Sequence, residues 1–261
     1  MASESDLEFT NFSTVHCSIN NHVGLIRIQG KDGSNLINQL MVAELKEAIN
    51  SFDDNPAVRA IILSSKGSNF SDGSALQGSC KNVDLNSHRI ALHLANTRKI
   101  TIASLRGNVL DQGLELALAC DIRFADRESI FGLTNIKSGL MPWDGGTQRL
   151  TRIIGPSRAL YMMLTGITID GVKALEYGLV SDITSDLTDE ELSLQFGLII
   201  SNHGPIAVQY LKEAVNSGSD LNIEEGMRLE LDLATLLHST NDRAEGLRAF
   251  AEKRKPEFQG D

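Results

Sequence analysis

The sequence predicts an α/β fold for the first half of the chain, followed by a region built almost wholly of helices. Short β-branched runs alternate with apolar residues at helical spacing up to about residue 145, and beyond it only the helical spacing continues. Strands that alternate with helices are typical of parallel strands joined by crossover helices. We therefore expect an α/β core over residues 1–200 and a helical C-terminal region over residues 201–261.

The elements of the core are predicted from local patterns. Strands are expected at 14–19, 23–28, 58–63, 100–105 and 122–125, and helices at 35–51, 87–96 and 113–119. The Asn20-Asn21 pair between the first two strands indicates a hairpin turn. A Gly- and Ser-rich loop over 64–79 follows the third strand.

The second half reads as consecutive helices. They are expected at 147–154, 157–164, 169–177, 189–202, 205–217, 223–238 and 241–253. Asp170 is expected to open one of them, and Thr240 with Asn241 to cap another. Because such a helical tail often packs on a neighbouring subunit, we expect self-association.

Composition limits the classes of function. The net charge of −10, from 34 acidic and 24 basic residues, disfavours nucleic-acid binding, which needs cations to neutralise phosphates. No apolar run is long enough to span a bilayer. The first thirteen residues lack the basic and apolar regions of a signal peptide, so we expect a cytoplasmic location. Cys17, Cys80 and Cys120 are too far apart for a zinc motif, and we expect no metal.

Two loops are candidates for binding an oxyanion. One covers residues 69–76, soon after a strand, and the other covers residues 107–113, where a strand leads into a helix. Free backbone N–H groups at a helix N-terminus attract negative charge. Two such donors that converge on one carbonyl oxygen form an oxyanion hole, which is often a dominant catalytic contribution.

Several segments resemble the enoyl-CoA hydratase/isomerase (crotonase) superfamily. They are Gly107–Asp126, Phe131–Leu150, Phe70–Ala75, Leu164–Gly166 with Ala174–Val180, and Phe250–Phe258, in the family's order. The resemblance implies a crotonase-like spiral of ββα units with a helical C-terminal trimerisation region. It also implies a homotrimer or hexamer and an acyl-CoA substrate, in which coenzyme A is part of the substrate and no separate cofactor is needed.

The resemblance assigns the oxyanion donors to the backbone N–H groups of Ser74 and Gln112. The family usually has glycine where Gln112 stands, so its side chain either narrows the pocket or packs away from it. The residues expected to line the acyl group nearby are Asp72, Gly73, Ala75, Leu76 and Gly113. Asp72 is expected either to turn its loop or to act as an acid or base.

The resemblance also assigns the proton-transfer residues. Glu115 matches the first catalytic glutamate of the hydratases, whereas Asn135 occupies the position of the second. Asparagine does not exchange protons near neutral pH, although it still hydrogen-bonds water or substrate. The two-carboxylate hydration mechanism is therefore incomplete in this chain.

Three further residues have two interpretations each. Asp144 is a candidate replacement for the missing glutamate, or an N-cap of the helix that begins near Gly146. Trp143 is expected to wall the acyl pocket or to pack the loop. Lys31 is expected to meet a phosphate of coenzyme A or to be an ordinary surface lysine.

Three functions remain open from the sequence. The first is a lyase or isomerase on acyl-CoA, with Glu115 as acid/base and an enolate in the oxyanion hole. The second is a tailoring enzyme (decarboxylase, dehydratase or isomerase) on carrier-bound polyketide intermediates. The third is a catalytically silent acyl-CoA-binding subunit, suggested by the residues at positions 112 and 135.

Overall fold

The structure is a computed structural model that describes residues 12–30, 32–76, 84–184 and 188–261. Within these ranges the strands are β1 Val15–Asn20, β2 Val23–Ile28, β3 Ala60–Ser65, β4 Ile100–Leu105, β5 Asn108–Leu110, β6 Ile122–Asp126, β7 Ile130–Gly132, β8 Ile169–Asp170 and β9 Asp182–Thr184. The main sheet has the order β1-β2-β3-β4-β6-β9, and a smaller one has the order β5-β7-β8. In the main sheet only the β1–β2 pair is antiparallel.

The helices surround these sheets. They are α1 Gln39–Asp54, α2 Ala91–Ala95, α3 Gln112–Leu118, α4 Gly146–Ile154, α5 Pro156–Thr165, α6 Gly171–Tyr177, α7 Asp189–Ser201, α8 Pro205–Gly218, α9 Ile223–Leu237 and α10 Asn241–Glu252. Two short 3₁₀ helices cover Leu85–His88 and Asn135–Ser138. The predicted α/β core followed by helices is confirmed.

The first hairpin is confirmed, with its turn one residue later than predicted. Asn20 pairs with Val23, so the turn residues are Asn21 and His22, with φ values of 45° and 70°. Positive φ at both positions is the backbone of a tight turn whose twist matches that of the strands. Asparagine tolerates this conformation better than most residues.

Several predicted helix boundaries are wrong, for local reasons. The helix predicted from residue 35 begins at Gln39, because Asn38 caps it by accepting a hydrogen bond from the N–H of Met41 at 2.9 Å. Asn35 lies before it in the left-handed conformation, with φ of 50°. The predicted helix 87–96 is a 3₁₀ turn followed by the short α2. The predicted caps at Asp170 and Thr240 are confirmed.

The main sheet is covered on both faces. One face carries the large cluster formed with α1, including Ile26 and Ile28 of β2. Alternate residues of the same strand, Val23 and Leu25, lie in a second cluster against α7, whose Phe196 packs on it. A parallel sheet buried on both faces explains why its strands are continuously apolar instead of alternating.

The C-terminal helices follow α7, and α8 is tied to the sheet by a buried ion pair. Lys212 lies 2.7 Å from Asp121 and also donates to the carbonyl of Lys99 at 2.8 Å.

The division of the chain at residue 200 stays a prediction. Among the described residues, no helix has both the length and the apolar character that crossing a membrane requires.

Candidate active site

The two loops expected to bind an oxyanion lie side by side. Ser71 donates its N–H to the carbonyl of Asn108 at 2.9 Å, and its own carbonyl accepts from Leu110, also at 2.9 Å. The first loop therefore runs along β5, which leads directly into α3. A Cβ atom added to Gly113 would lie 2.6 Å from the Cβ of Ser71. Glycine at position 113 thus permits the start of α3 to contact the first loop.

The N–H groups of Ser74 and Gln112 both lack acceptors among the described residues. Ile37 donates to the carbonyl of Gly73 at 2.8 Å and accepts from the N–H of Ala75 at 3.0 Å. Since successive backbone groups of an extended segment point to opposite sides, the N–H of Ser74 points away from Ile37. Gln112 is the first residue of α3, where an N–H has no partner within the helix.

Asp111 connects the start of α3 to the segment that contains Asn135. Its φ of 46° and ψ of −119° lie in a region that favours glycine, which costs about 1–3 kcal/mol for other residues. Its carboxylate accepts from the N–H of Thr134 at 2.5 Å and from the hydroxyl at 2.9 Å. These bonds hold Thr134, and hence its neighbour Asn135, beside α3. The sequence shows an aspartate at position 111, but it does not show that its carboxylate binds Thr134, 23 residues further along the chain.

Glu115 is fully buried on α3, with one oxygen bound and one unpartnered. Oε1 accepts hydrogen bonds from the N–H groups of Asp144 at 2.7 Å and Gly146 at 2.8 Å. Oε2 has no hydrogen-bond partner among the described residues. Burial raises the pKa of Glu115 from 4.5 to about 7, opposed by the two N–H donors and reinforced by the charges of Asp144 and Asp111. Such a carboxyl exchanges protons readily near neutral pH.

The raised pKa of Glu115 makes folding stability depend on pH. The folded-state pKa exceeds the unfolded value, so the contribution of Glu115 to the free energy of unfolding is complete below about pH 4.5 and is lost as pH rises through about 7. The free energy of unfolding falls by about 3 kcal/mol over this range. We expect the Tm of the wild type, relative to Glu115→Gln, to fall by several degrees between about pH 5 and pH 8. Thermal melts of both proteins across this range test it, and a constant difference would contradict the assignment.

The Gln112 side chain is buried inside the protein. Its Nε2 donates to the carbonyl of His88 at 2.8 Å and makes a longer contact of 3.4 Å with Oδ2 of Asp144. Its Oε1 is buried without a partner among the described residues. The side chain therefore packs toward the residues that precede α2.

Asn135 begins a 3₁₀ turn and is buried. Its carbonyl accepts from the N–H of Leu140 at 3.0 Å, which closes the turn. Its side-chain Oδ1 is buried and, within the described ranges, unpartnered. Four buried oxygens without a hydrogen-bond partner among the described residues thus belong to predicted site residues, namely Gln112, Glu115, Asn135 and Asp144, although that of Asp144 lies 3.6 Å from Nε of Arg89. Buried polar atoms normally have partners, so these oxygens are available to a bound ligand or water.

The prediction that Asp144 caps α4 is wrong. The N-cap residue of α4 is Gly145, with φ of 110°, and no side chain caps it. Asp144 instead accepts from the N–H groups of Ile90 at 2.9 Å and Ala91 at 3.2 Å, at the start of α2. The left-handed backbone at Gly145 separates Asp144 from α4. Trp143 beside it is half-buried.

The other predicted site residues have the following surroundings. Asp72 accepts from the side-chain amides of Asn108 at 2.7 Å and Asn69 at 3.4 Å, which supports its interpretation as a residue that fixes the loop. Gly73 has φ of 114°. Ala75 is exposed and Leu76 half-buried. Lys31 and Cys80 lie outside the described residues. Over the described ranges, no cluster of His, Cys, Asp and Glu is arranged to hold a metal ion.

A sequence model described as enoyl-CoA hydratase/isomerase matches residues 18–261, which is nearly the whole chain. The chain belongs to the enoyl-CoA hydratase/isomerase family. It is 36% identical over 246 residues to the mitochondrial enoyl-CoA hydratase of Pongo abelii, covering 92% of this chain and 84% of that protein. It is 34% identical to the 2,3-dehydroadipyl-CoA hydratase of Escherichia coli, covering 90% and 94%.

Solved structures of the enoyl-CoA hydratase/isomerase family confirm the predicted crotonase-like fold. A structure of enoyl-CoA hydratase from Bacillus anthracis superposes with a TM-score of 0.89 at 30% identity, covering 95% of this chain and all of that one. A related structure from Geobacillus kaustophilus has a TM-score of 0.90 at 34% identity, covering 97% and 100%. The chain is therefore an acyl-CoA enzyme of the lyase or isomerase type that this family comprises.

Proposed function

We propose that this protein binds an acyl-CoA thioester and stabilises its enolate with the N–H groups of Ser74 and Gln112, while Glu115 transfers the proton. The observation that carries the proposal is Glu115, a fully buried carboxyl with one unpartnered oxygen and a pKa of about 7. It lies on the helix whose first N–H is one of the two free donors. Electrostatic stabilisation of an oxyanion and general acid–base catalysis then operate from one helix.

A single carboxyl suffices for hydration of a 2-enoyl-CoA. Ionised Glu115 accepts a proton from water while the water oxygen bonds to C3 and the double-bond electrons move to the thioester oxygen as an enolate. Glu115 then returns that proton to C2, which restores the thioester and the carboxylate. Asn135 Oδ1 supports this step as an acceptor that orients the water. Migration of the double bond and decarboxylation pass through the same enolate.

Exchange of the α-proton tests the proposal without assuming one product. Saturated and 2-enoyl-CoA thioesters are incubated with the protein in D₂O, and deuterium at C2 is measured by NMR with hydration products in parallel. We expect exchange or hydration that depends on the protein and disappears with Glu115→Gln. Binding of acyl-CoA by calorimetry with neither exchange nor product would overturn the proposal and favour a catalytically silent subunit.

One observation supports a carrier-bound substrate as a second candidate. The lysine and arginine residues that could meet the phosphates of coenzyme A are reduced to one, Lys31, over residues 29–38 between β2 and α1. A carrier protein presents only the pantetheine arm, so a tailoring enzyme on carrier-bound intermediates would not need them. Turnover of one acyl group on coenzyme A and on a carrier protein separates the two candidates.

A homotrimer or hexamer is part of the proposal. Large apolar side chains of the C-terminal helices are exposed in the single chain, among them Ile223, Met227, Leu231 and Phe250. Exposed apolar surface of this extent is typical of protein–protein contacts. A cytoplasmic location stays a prediction.

A further inference from the structure

Asp144 is fully buried where three parts of the structure meet. Its Oδ2 binds the first N–H groups of α2, and the Gln112 side chain of α3 lies 3.4 Å from the same oxygen. Its Oδ1 lies 3.6 Å from Nε of Arg89, an ion pair beyond hydrogen-bond distance. Its own N–H donates to Oε1 of Glu115 at 2.7 Å. One residue thus joins the site helix to α2 and to the loop before α4.

We propose that Asp144 is a positioning residue for Glu115, held in place by Gln112 and by Arg89. Through its backbone it fixes the orientation of the Glu115 carboxyl, and through its charge it controls when that carboxyl ionises. The catalytic part of this inference rests on the proposed function, whereas the effect on ionisation does not.

The orientation of Glu115 follows from the anchoring of the loop. The N–H groups of residues 144 and 146 both bind Oε1, which leaves Oε2 as the oxygen that faces a reactant. These N–H groups stay in place because the Asp144 carboxylate attaches the loop to α2. With Oδ2 occupied by two main-chain donors, Asp144 is built to hold its neighbours and not to transfer protons.

The charges around Glu115 come from every element packed on α3. Asp144 and Asp111 raise the pKa of Glu115. Two cations lie next to Asp144: Arg149 of α4 donates to its carbonyl at 3.2 Å, and Arg89, which precedes α2, lies 3.6 Å from its Oδ1. His88 faces the site with its carbonyl, bound to the Gln112 side chain. Asp144 thus contacts both arginines, Arg149 through its main-chain carbonyl and Arg89 through its carboxylate.

The test is a titration of Glu115 in the full-length protein. Carboxyl ¹³C NMR of glutamate-labelled protein follows the ionisation, and the signal missing in Glu115→Gln assigns it. Asp144→Asn keeps an oxygen for the N–H groups of Ile90 and Ala91 but removes the charge. We expect it to lower the pKa of Glu115 by about 1 unit. The pH profile of kcat should move by the same amount, with KM little changed.

Arg89→Gln gives the opposite sign. Without the guanidinium, the charge of Asp144 is less compensated, so the pKa of Glu115 should rise. Arg152→Gln is the matched control, because Arg152 is an α4 arginine that contacts Gln148 and Asp220. It should leave the titration unchanged. Structural damage would not produce shifts of opposite sign in two variants and none in the third.

The outcomes separate this inference from the proposed function. An unchanged Glu115 titration in folded Asp144→Asn, or shifts of one sign in both variants, overturns it. Loss of turnover by Asp144→Asn at every pH would make Asp144 itself the acid and also overturn it. If Asp144→Asn does not fold, Arg89→Gln carries the test, since that side chain is 39% exposed. The predicted shifts in a protein without turnover would refute only the proposed function.

Discussion

Replacement of Glu115 by glutamine should lower kcat by about 10²–10⁴-fold, the usual contribution of a general acid–base residue. Glutamine retains an oxygen for the N–H groups of residues 144 and 146, so the loop stays in place. It cannot accept the proton from water. Steady-state kinetics with the acyl-CoA that shows the fastest exchange measure the effect. In the wild type, kcat/KM for hydration should rise with pH through about 7, because the base must be ionised.

Glu44→Gln is the matched control for this variant. Glu44 is also buried, but its carboxylate accepts from the N–H groups of Ser13 and Thr14, at 2.9 and 2.7 Å, in the N-terminal segment. Glu44→Gln should lower the free energy of unfolding and leave kcat unchanged. Equal turnover by the wild type and folded Glu115→Gln would remove Glu115 from the mechanism.

Replacement of Gly113 by alanine should lower kcat by about 10²-fold, although alanine is the better helix former. The added methyl group would lie 2.6 Å from Cβ, 2.9 Å from Oγ and 3.1 Å from the carbonyl oxygen of Ser71, so the first loop must move away from α3. A displacement of about 1 Å in catalytic groups costs about this factor. Overpacking should also destabilise the fold by about 1–3 kcal/mol. Kinetics and denaturant melts measure both effects.

Gly246→Ala provides the comparison. That glycine lies inside α10, where an added Cβ would meet ordinary contacts at 3.7 Å or more. It should stabilise the protein by about 1 kcal/mol without changing kcat. The double variant Gly113→Ala with Ser71→Gly removes the clashing Cβ and should recover part of the lost activity. Full activity of Gly113→Ala alone would show that contact between the two loops is not needed for catalysis.

Elements with a strong local pattern were predictable from the sequence. The first hairpin and the C-terminal helices have clear periods, and the N-caps at Asp170 and Thr240 follow from residue type. The strands β5, β7 and β8, with three, three and two residues, are too short to show a period. Their existence depends on pairing partners distant in the chain.

The sequence predicts which residues belong to the candidate site, but not how their side chains are oriented. Glu115 and Asn135 were found by position within a motif. The interpretation of Asp144 failed because its partner N–H group, that of Ile90, is 54 residues away in sequence. An aspartate in front of a helix fits the N-cap pattern whether its side chain binds the N–H groups of that helix or those of another one. Arg89 and Thr134, which bind Asp144 and Asp111, carried no local signal.

Both hydrogen bonds to Oε1 of Glu115 are donated by peptide N–H groups, those of residues 144 and 146. Position 146 must stay small, since an added Cβ would lie 3.0 Å from that carboxylate. Position 144 retains its peptide N–H with any residue except proline, but the loop that carries this N–H is attached to α2 by the Asp144 carboxylate. Directed evolution that randomises Trp143 while Asp144 and Gly146 are kept would therefore explore new substrate preferences without changing the orientation of the Glu115 carboxyl.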